Sequence, residues 1–372
     1  MRWILALVAT ASGACGAPSA PPRPIRFLTT FSPRETELFH TTIAERGLAV
    51  DVSLVPFARG HQVITEMLRA GKDCPDLIRI DATWLPSLVD AKVLAPPPAE
   101  LQTGWAPLGK DLAMIGNTQW AVPQSIDGLV AVRFASTPAP ADPSIAALAK
   151  AAAGSQTKTG QLHPLGVRVD GYWFVPWLRA AGVELAPDQL DDRAVAALRE
   201  FGAMFGQLAA APPSAGSEAE SELRRWNAKE LAYWVTGPWQ LADLRERDQL
   251  AVSPIEHAPR GGQLLVVPTC APQPAEGWRL AQEVTSERTS LIFSDAFATI
   301  PTLEVAQQHA TPLVQQVMAA LASAERLPVT PVTPLLFDDL NPAVAAVVFG
   351  DATPEEAIAG VRRGWQRLVV KK

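Results

Sequence analysis

The stretch Leu231 to Leu244, LAYWVTGPWQLADL, constrains the fold most, because it reads as a strand that enters a glycine turn and opens a helix. Leu231, Tyr233 and Val235 alternate with Ala232, Trp234 and Thr236, the period-2 pattern of a strand. Gly237 breaks the strand and lets backbone approach a ligand closely, and Pro238 suits a first helical turn, where its missing N–H is no loss. Free N–H groups at such a helix start can donate to ligand oxygens. Trp234 and Trp239 stand on either side of the turn. Their spacing alone leaves two readings open: rings that flank a ligand, or rings that fill the joint between strand and helix.

A chain of 372 residues is too long for one compact core and suits two domains. With 48% hydrophobic and 19% charged residues it has the balance of a globular protein rather than a disordered one. The net charge of −6, or −7 once Arg2 is removed with a signal, argues against nucleic acid as a partner. After residue 14 no run of eighteen apolar residues exists to span a bilayer. Residues 1–14 read as a signal peptide, with Met1 and Arg2 before the apolar run Trp3 to Ala11 and the small residues Ser12, Gly13 and Ala14. Gly13, Ala14 and Cys15 resemble the cleavage pattern of a bacterial lipoprotein, which would place lipid on Cys15; an ordinary secretory cut nearby is the other reading. Residues 15–24 are a proline-rich tether. The five histidines show no metal spacing, and no C-x-x-C occurs.

Around the organising stretch, Trp226, Asn227, Ala228, Lys229, Glu230, Leu231, Ala232 and Tyr233, followed by Gly237, Pro238 and Trp239, resemble the segment F-x-x-G-K-A-A-M-x-x-x-G-P-W. That segment belongs to the extracellular solute-binding proteins of the maltose and sugar type that serve ABC importers. Glu230 stands where that family has a small residue, and Tyr233 where it has Met.

Other landmarks follow in family order. Ile25 to Thr30 reads as the first strand, and Ser32, Pro33 and Glu35 form a helix capping box, so Phe31 and Ser32 sit at a strand's carboxyl end, where open α/β sheets bind ligands. Gly71 to Ile78 resembles the family's A-G-x-x-P-D-v-i segment, with Asp81 and Trp84 at the next helix start. Asp81 by itself suits a helix cap; the resemblance makes it a sugar contact. Trp120 to Phe134 resembles the first crossing between lobes and brings Gln124 and Asp127 near the cleft, although the Asp127-Gly128 pair also suits a turn. Asp170 to Trp177 packs aromatics at a helix start, and the family uses aromatics there as a sugar platform, which Tyr172 and Trp173 would supply. His257 to Val267 resembles the second crossing, Glu276 to Phe293 reads as one helix, and ATIPT at Ala298 to Thr302 resembles the turn that follows it.

The resemblance implies an α/β, two-lobed periplasmic-binding-protein fold of type II, with discontinuous lobes joined by hinge strands. Residues 25–122 with 259–301 would form the N-terminal lobe, and 123–258 with 302–372 the C-terminal lobe. It implies a lipid-anchored monomer in the periplasm or at the cell surface, no cofactor, no metal, and two partners: a small solute, with sugars first, and an ABC permease. The ligand-binding set is Phe31, Ser32, Asp81, Trp84, Gln124, Asp127, Tyr172, Trp173, Trp234, Gly237 and Trp239. Cys74 and Cys270 fall in one lobe, which leaves open a bridge or two buried thiols. The chain carries no G-x-S-x-G, P-loop or HExxH for catalysis. The acidic pairs Asp191-Asp192, Asp338-Asp339 and Glu355-Glu356 suit helix starts. A sensor domain docking on a membrane receptor, and a carbohydrate-active enzyme, are the competing readings.

Overall fold

The short apolar runs near the N-terminus alternate between two buried sides, and a sheet covered by helices on both faces results. In the computed structural model, which describes residues 23–212 and 218–370, Phe27 and Leu77 belong to one core cluster and their neighbours Leu28 and Ile78 to another. The larger sheet runs Ile300–Pro301, Val122–Gly128, Pro259–Pro268, Leu77–Asp81, Ile25–Thr29, Val50–Leu54, with Leu94–Ala95 and Glu325–Arg326 added on Pro259–Pro268. Ile25–Thr29 is parallel to both of its neighbours, whereas Pro259–Pro268 is antiparallel to Leu77–Asp81 and to Val122–Gly128. The smaller sheet runs Leu250–Ser253, Val130–Phe134, Tyr233–Thr236, Leu165–Gly166. Helices cover it, among them Gly171–Ala180, Asp192–Met204 and Thr333–Phe349.

The chain leaves the larger sheet between Gly128 and Val130 and returns between Ser253 and Pro259. Both connections are short, as hinge segments are. These positions correct the expected lobe boundaries. All of Val122–Gly128 pairs within the larger sheet, so residues 123–128 belong with the first lobe. So does the segment after Pro301: Thr302 donates its hydroxyl to the Pro123 carbonyl at 2.6 Å, and Glu304–Gln308 packs on Glu287–Phe297.

Two further expectations change. The single helix over 276–293 is two, Pro274–Val284 and Glu287–Phe297, because Ser286 caps the second by accepting from the Thr289 N–H. Asp338 and Asp339 lie inside Thr333–Phe349 rather than at a helix start. Leu165–Gly166, at the end of the smaller sheet, is only two residues long, since Tyr233–Thr236 pairs with it only there.

Cys74 and Cys270 form a disulfide across 196 residues of chain, joining the start of Leu77–Asp81 to the end of Pro259–Pro268. The buried Asp76 secures the same corner, accepting from the Arg26 N–H and the Gln273 N–H, each at 2.8 Å. The expected signal peptide, the lipid on Cys15 and nearly all of the tether lie outside the described residues. No helix among the described residues is long and apolar enough to cross a membrane.

Candidate functional site

A cleft of about 1690 Å³ separates the two sheets. The larger-sheet side contributes the carboxyl ends of its strands, through Thr30 to Glu35, Leu54 to Ala58, Arg79 and Asp81, joined by Asp127 and Gln263. The other side contributes Arg168, Asp170, Tyr172 and Trp173, Pro238 and Trp239, and residues of Thr333–Phe349 including Phe337, Asp338 and Asn341.

On the floor, Asp81 ends its strand and caps the next turn, accepting from the Thr83 N–H at 2.8 Å and from the Thr83 hydroxyl. Its other oxygen accepts from Gln263 Nε2 at 3.4 Å, because Gln263 lies opposite Asp81 in the antiparallel register. Asp127 faces Gly261 across the neighbouring pair of strands. A Cβ on Gly261 would stand 2.8 Å from Asp127 Oδ1, so glycine is what lets this carboxylate lie against the strand. Burial, and next the negative Asp81, push the Asp127 carboxyl up to about 7. Burial raises Asp81 too, opposed first by its Thr83 hydrogen bonds.

Arg79 supplies the positive charge on this floor. It donates to Gln124 Oε1 at 2.7 Å and Thr30 Oγ1 at 2.6 Å, and its guanidinium lies 4.8 Å from the Phe31 ring centroid. Beside it the Ser32 capping box is complete: Ser32 Oγ accepts from the Glu35 N–H at 3.2 Å, and Glu35 accepts from the Ser32 N–H at 2.7 Å.

Two aromatic groups face the space. Asp170 caps Gly171–Ala180 and so presents Tyr172 and Trp173 at the first turn. Tyr172 donates its hydroxyl to the Pro259 carbonyl at 3.2 Å, and Trp173 donates its indole N–H to the Val235 carbonyl at 2.8 Å. Trp239 stands edge-on to both rings, at 6.4 and 5.9 Å, and is 39% exposed. Across the cleft Phe57, 54% exposed, lies 5.3 Å from Trp84. Trp84 itself is seated on its helix neighbour, since a Cβ on Gly60 would come within 2.4 Å of its ring. At the rim Arg34 and Asp243 form an ion pair at 3.2 Å between the two sides.

Of the eleven residues expected to bind ligand, Phe31, Ser32, Asp81, Trp84, Asp127, Tyr172, Trp173 and Trp239 line the cleft, and three do not. Trp234 is corrected to a core residue: it is 0% exposed and packs 6.0 Å from Trp226, because its strand Tyr233–Thr236 is buried on both faces. Gln124 is a supporting residue whose amide oxygen is spent on Arg79. Gly237 does not open backbone to a ligand; a Cβ there would stand 2.2 Å from the Trp239 ring, which folds back over it. Arg79, Gln263, Phe57 and Arg168 line the cleft without having been anticipated.

The sequence matches the bacterial extracellular solute-binding protein family over residues 43–320, and the chain belongs to that family. Among curated proteins, none matches the sequence. Solved structures share the fold. The acarbose receptor GacH of Streptomyces glaucescens superposes with a TM-score of 0.79 at 21% identity, over 93% of this chain and 98% of that one. The maltotriose-binding protein of Thermus thermophilus gives 0.77 at 17% identity, over 91% and 99%. The maltose-bound MalE3 of T. maritima gives 0.79 at 16% identity, over 93% and 99%. The family consists of solute-binding proteins rather than enzymes.

Proposed function

We propose that the chain is the extracytoplasmic receptor of an ABC importer, lipid-anchored through Cys15, and that it captures an oligosaccharide in the cleft by closure of the lobes about the two crossing segments. The observation that carries this reading is the pair of opposed aromatic walls, Tyr172, Trp173 and Trp239 against Phe57 and Trp84, with hydrogen-bonding carboxylates between them. Flat rings cover the apolar faces of sugar rings while carboxylates accept from their hydroxyls. The about 1690 Å³ of space exceeds the few hundred that a small ligand fills, which favours a ligand of more than one ring. Similarity to receptors solved with acarbose, maltotriose and maltose points the same way. Binding without turnover fits the site, because Asp81 is held by Thr83 in a capping role.

A thermal-shift screen over mono-, di- and trisaccharides, amino acids and polyamines tests the proposal, since a ligand that prefers the folded state raises the melting temperature by mass action. The expected hits are oligosaccharides. Stabilisation by amino acids alone would contradict the proposal.

A further inference from the structure

The floor of the cleft carries more negative than positive charge. Asp81 and Asp127 both line it, and Arg79 beside them is engaged by Gln124, Thr30 and the Phe31 ring. Gln263, only 7% exposed, donates its amide nitrogen to Asp81 at 3.4 Å, and it lies two residues along the strand from Gly261, against which Asp127 rests. The Gln263 oxygen Oε1 has no hydrogen-bond partner among the described residues. Two carboxylates and an orphaned amide oxygen therefore converge in one place, and all of them accept. A hydroxyl brings one donor and adds acceptor lone pairs of its own, whereas an ammonium brings three donors and no acceptor.

Resting on the sugar reading above, we infer that the ligand is an amino sugar, a saccharide whose free, protonated amine sits between Asp81 and Asp127. The aromatic walls account for the ring and the acidic floor for the charge. In the empty site the missing charge is supplied by a proton, as the raised Asp127 carboxyl indicates. A ligand ammonium displaces that proton and turns the like-charge pair into a charge-assisted contact. Arg168 does not compete for this role, because its guanidinium lies 4.7 Å over the Trp173 ring and donates to Gln240.

Titration calorimetry at pH 7 with the full chain tests this, using glucosamine disaccharide and trisaccharide, their N-acetylated forms, and the parent glucose oligosaccharides. The free amines should bind at least about tenfold tighter than either neutral series. In Asp127→Asn, checked for an intact melting transition, that preference should fall to about threefold or less. Equal or tighter binding of the neutral series by the parent protein overturns the amino-sugar inference and leaves the sugar receptor standing. Retention of the full preference in Asp127→Asn likewise overturns it. Binding of spermidine with no binding of any saccharide overturns both.

Discussion

At the scale of residues, the floor carboxylates carry a pH signature whose sign follows from their burial. Unfolded aspartate titrates near 4, and Asp127 titrates at about 7 in the folded chain. Between those values the folded state keeps a proton that the unfolded state has released, so this residue's contribution to stability is whole below about pH 4 and is lost as pH rises through 7. Arg79 and Asp81, two strands away across Pro259–Pro268, Gln263 on that intervening strand and Tyr172 from the opposite helix face the same carboxyl, and Gln263 and Arg79 oppose its neutral form. Asp127→Asn should therefore melt above the parent at pH 8 by about 2 °C, roughly what 1 kcal/mol produces in a domain of this size. The gap should shrink toward pH 4.5. Thermal denaturation at the two pH values checks it, and a gap of constant size would mean that Asp127 does not titrate in this range. Asp81, Asp127, Tyr172, Trp173 and Trp239 are legible in sequence because each stands at a strand end or helix start, where local spacing marks it. Arg79 and Gln263 are not, since each is a strand residue whose neighbour is decided by pairing with a strand far away in the chain.

At the scale of elements, strand runs and caps are readable wherever one local rule acts alone. The Ser32 box and the Gly237-Pro238 helix start follow from neighbouring residues and appear as such. Lengths and groupings depend on tertiary partners: the seven-residue reach of Val122–Gly128 into the larger sheet follows from the strands that pair beside it. Whether Cys74 meets Cys270 is likewise a matter of strand order, because adjacent antiparallel strands bring 196-residue-distant positions to a Cα separation of 5.9 Å. The bridge closes a long loop and should stabilise the first lobe by about 2–4 kcal/mol. A Cys74→Ser and Cys270→Ser double variant should lower the denaturant midpoint accordingly while leaving ligand affinity within about twofold, since the bridge lies away from the cleft lining. Loss of binding in a still-folded variant would show that this corner also shapes the site.

At the scale of the whole molecule, two sheets joined by short crossings hold a cleft whose walls come from different lobes, and the account assigns ligand capture to that cleft. The two tryptophans around the glycine turn separate this claim from its rival, because the fold treats them oppositely: Trp234 is sealed in the core and Trp239 faces the cleft. Trp234→Ala should cost about 3–5 kcal/mol of stability with little change in affinity per folded molecule. Trp239→Ala removes a half-open ring and should leave the fold largely intact. The most direct measurement is calorimetric titration of the parent protein and of Trp239→Ala with the tightest-binding oligosaccharide. One ligand per chain is expected, with at least about tenfold weaker binding in the variant, ~1.4 kcal/mol. Unchanged affinity in a folded Trp239→Ala protein would contradict it.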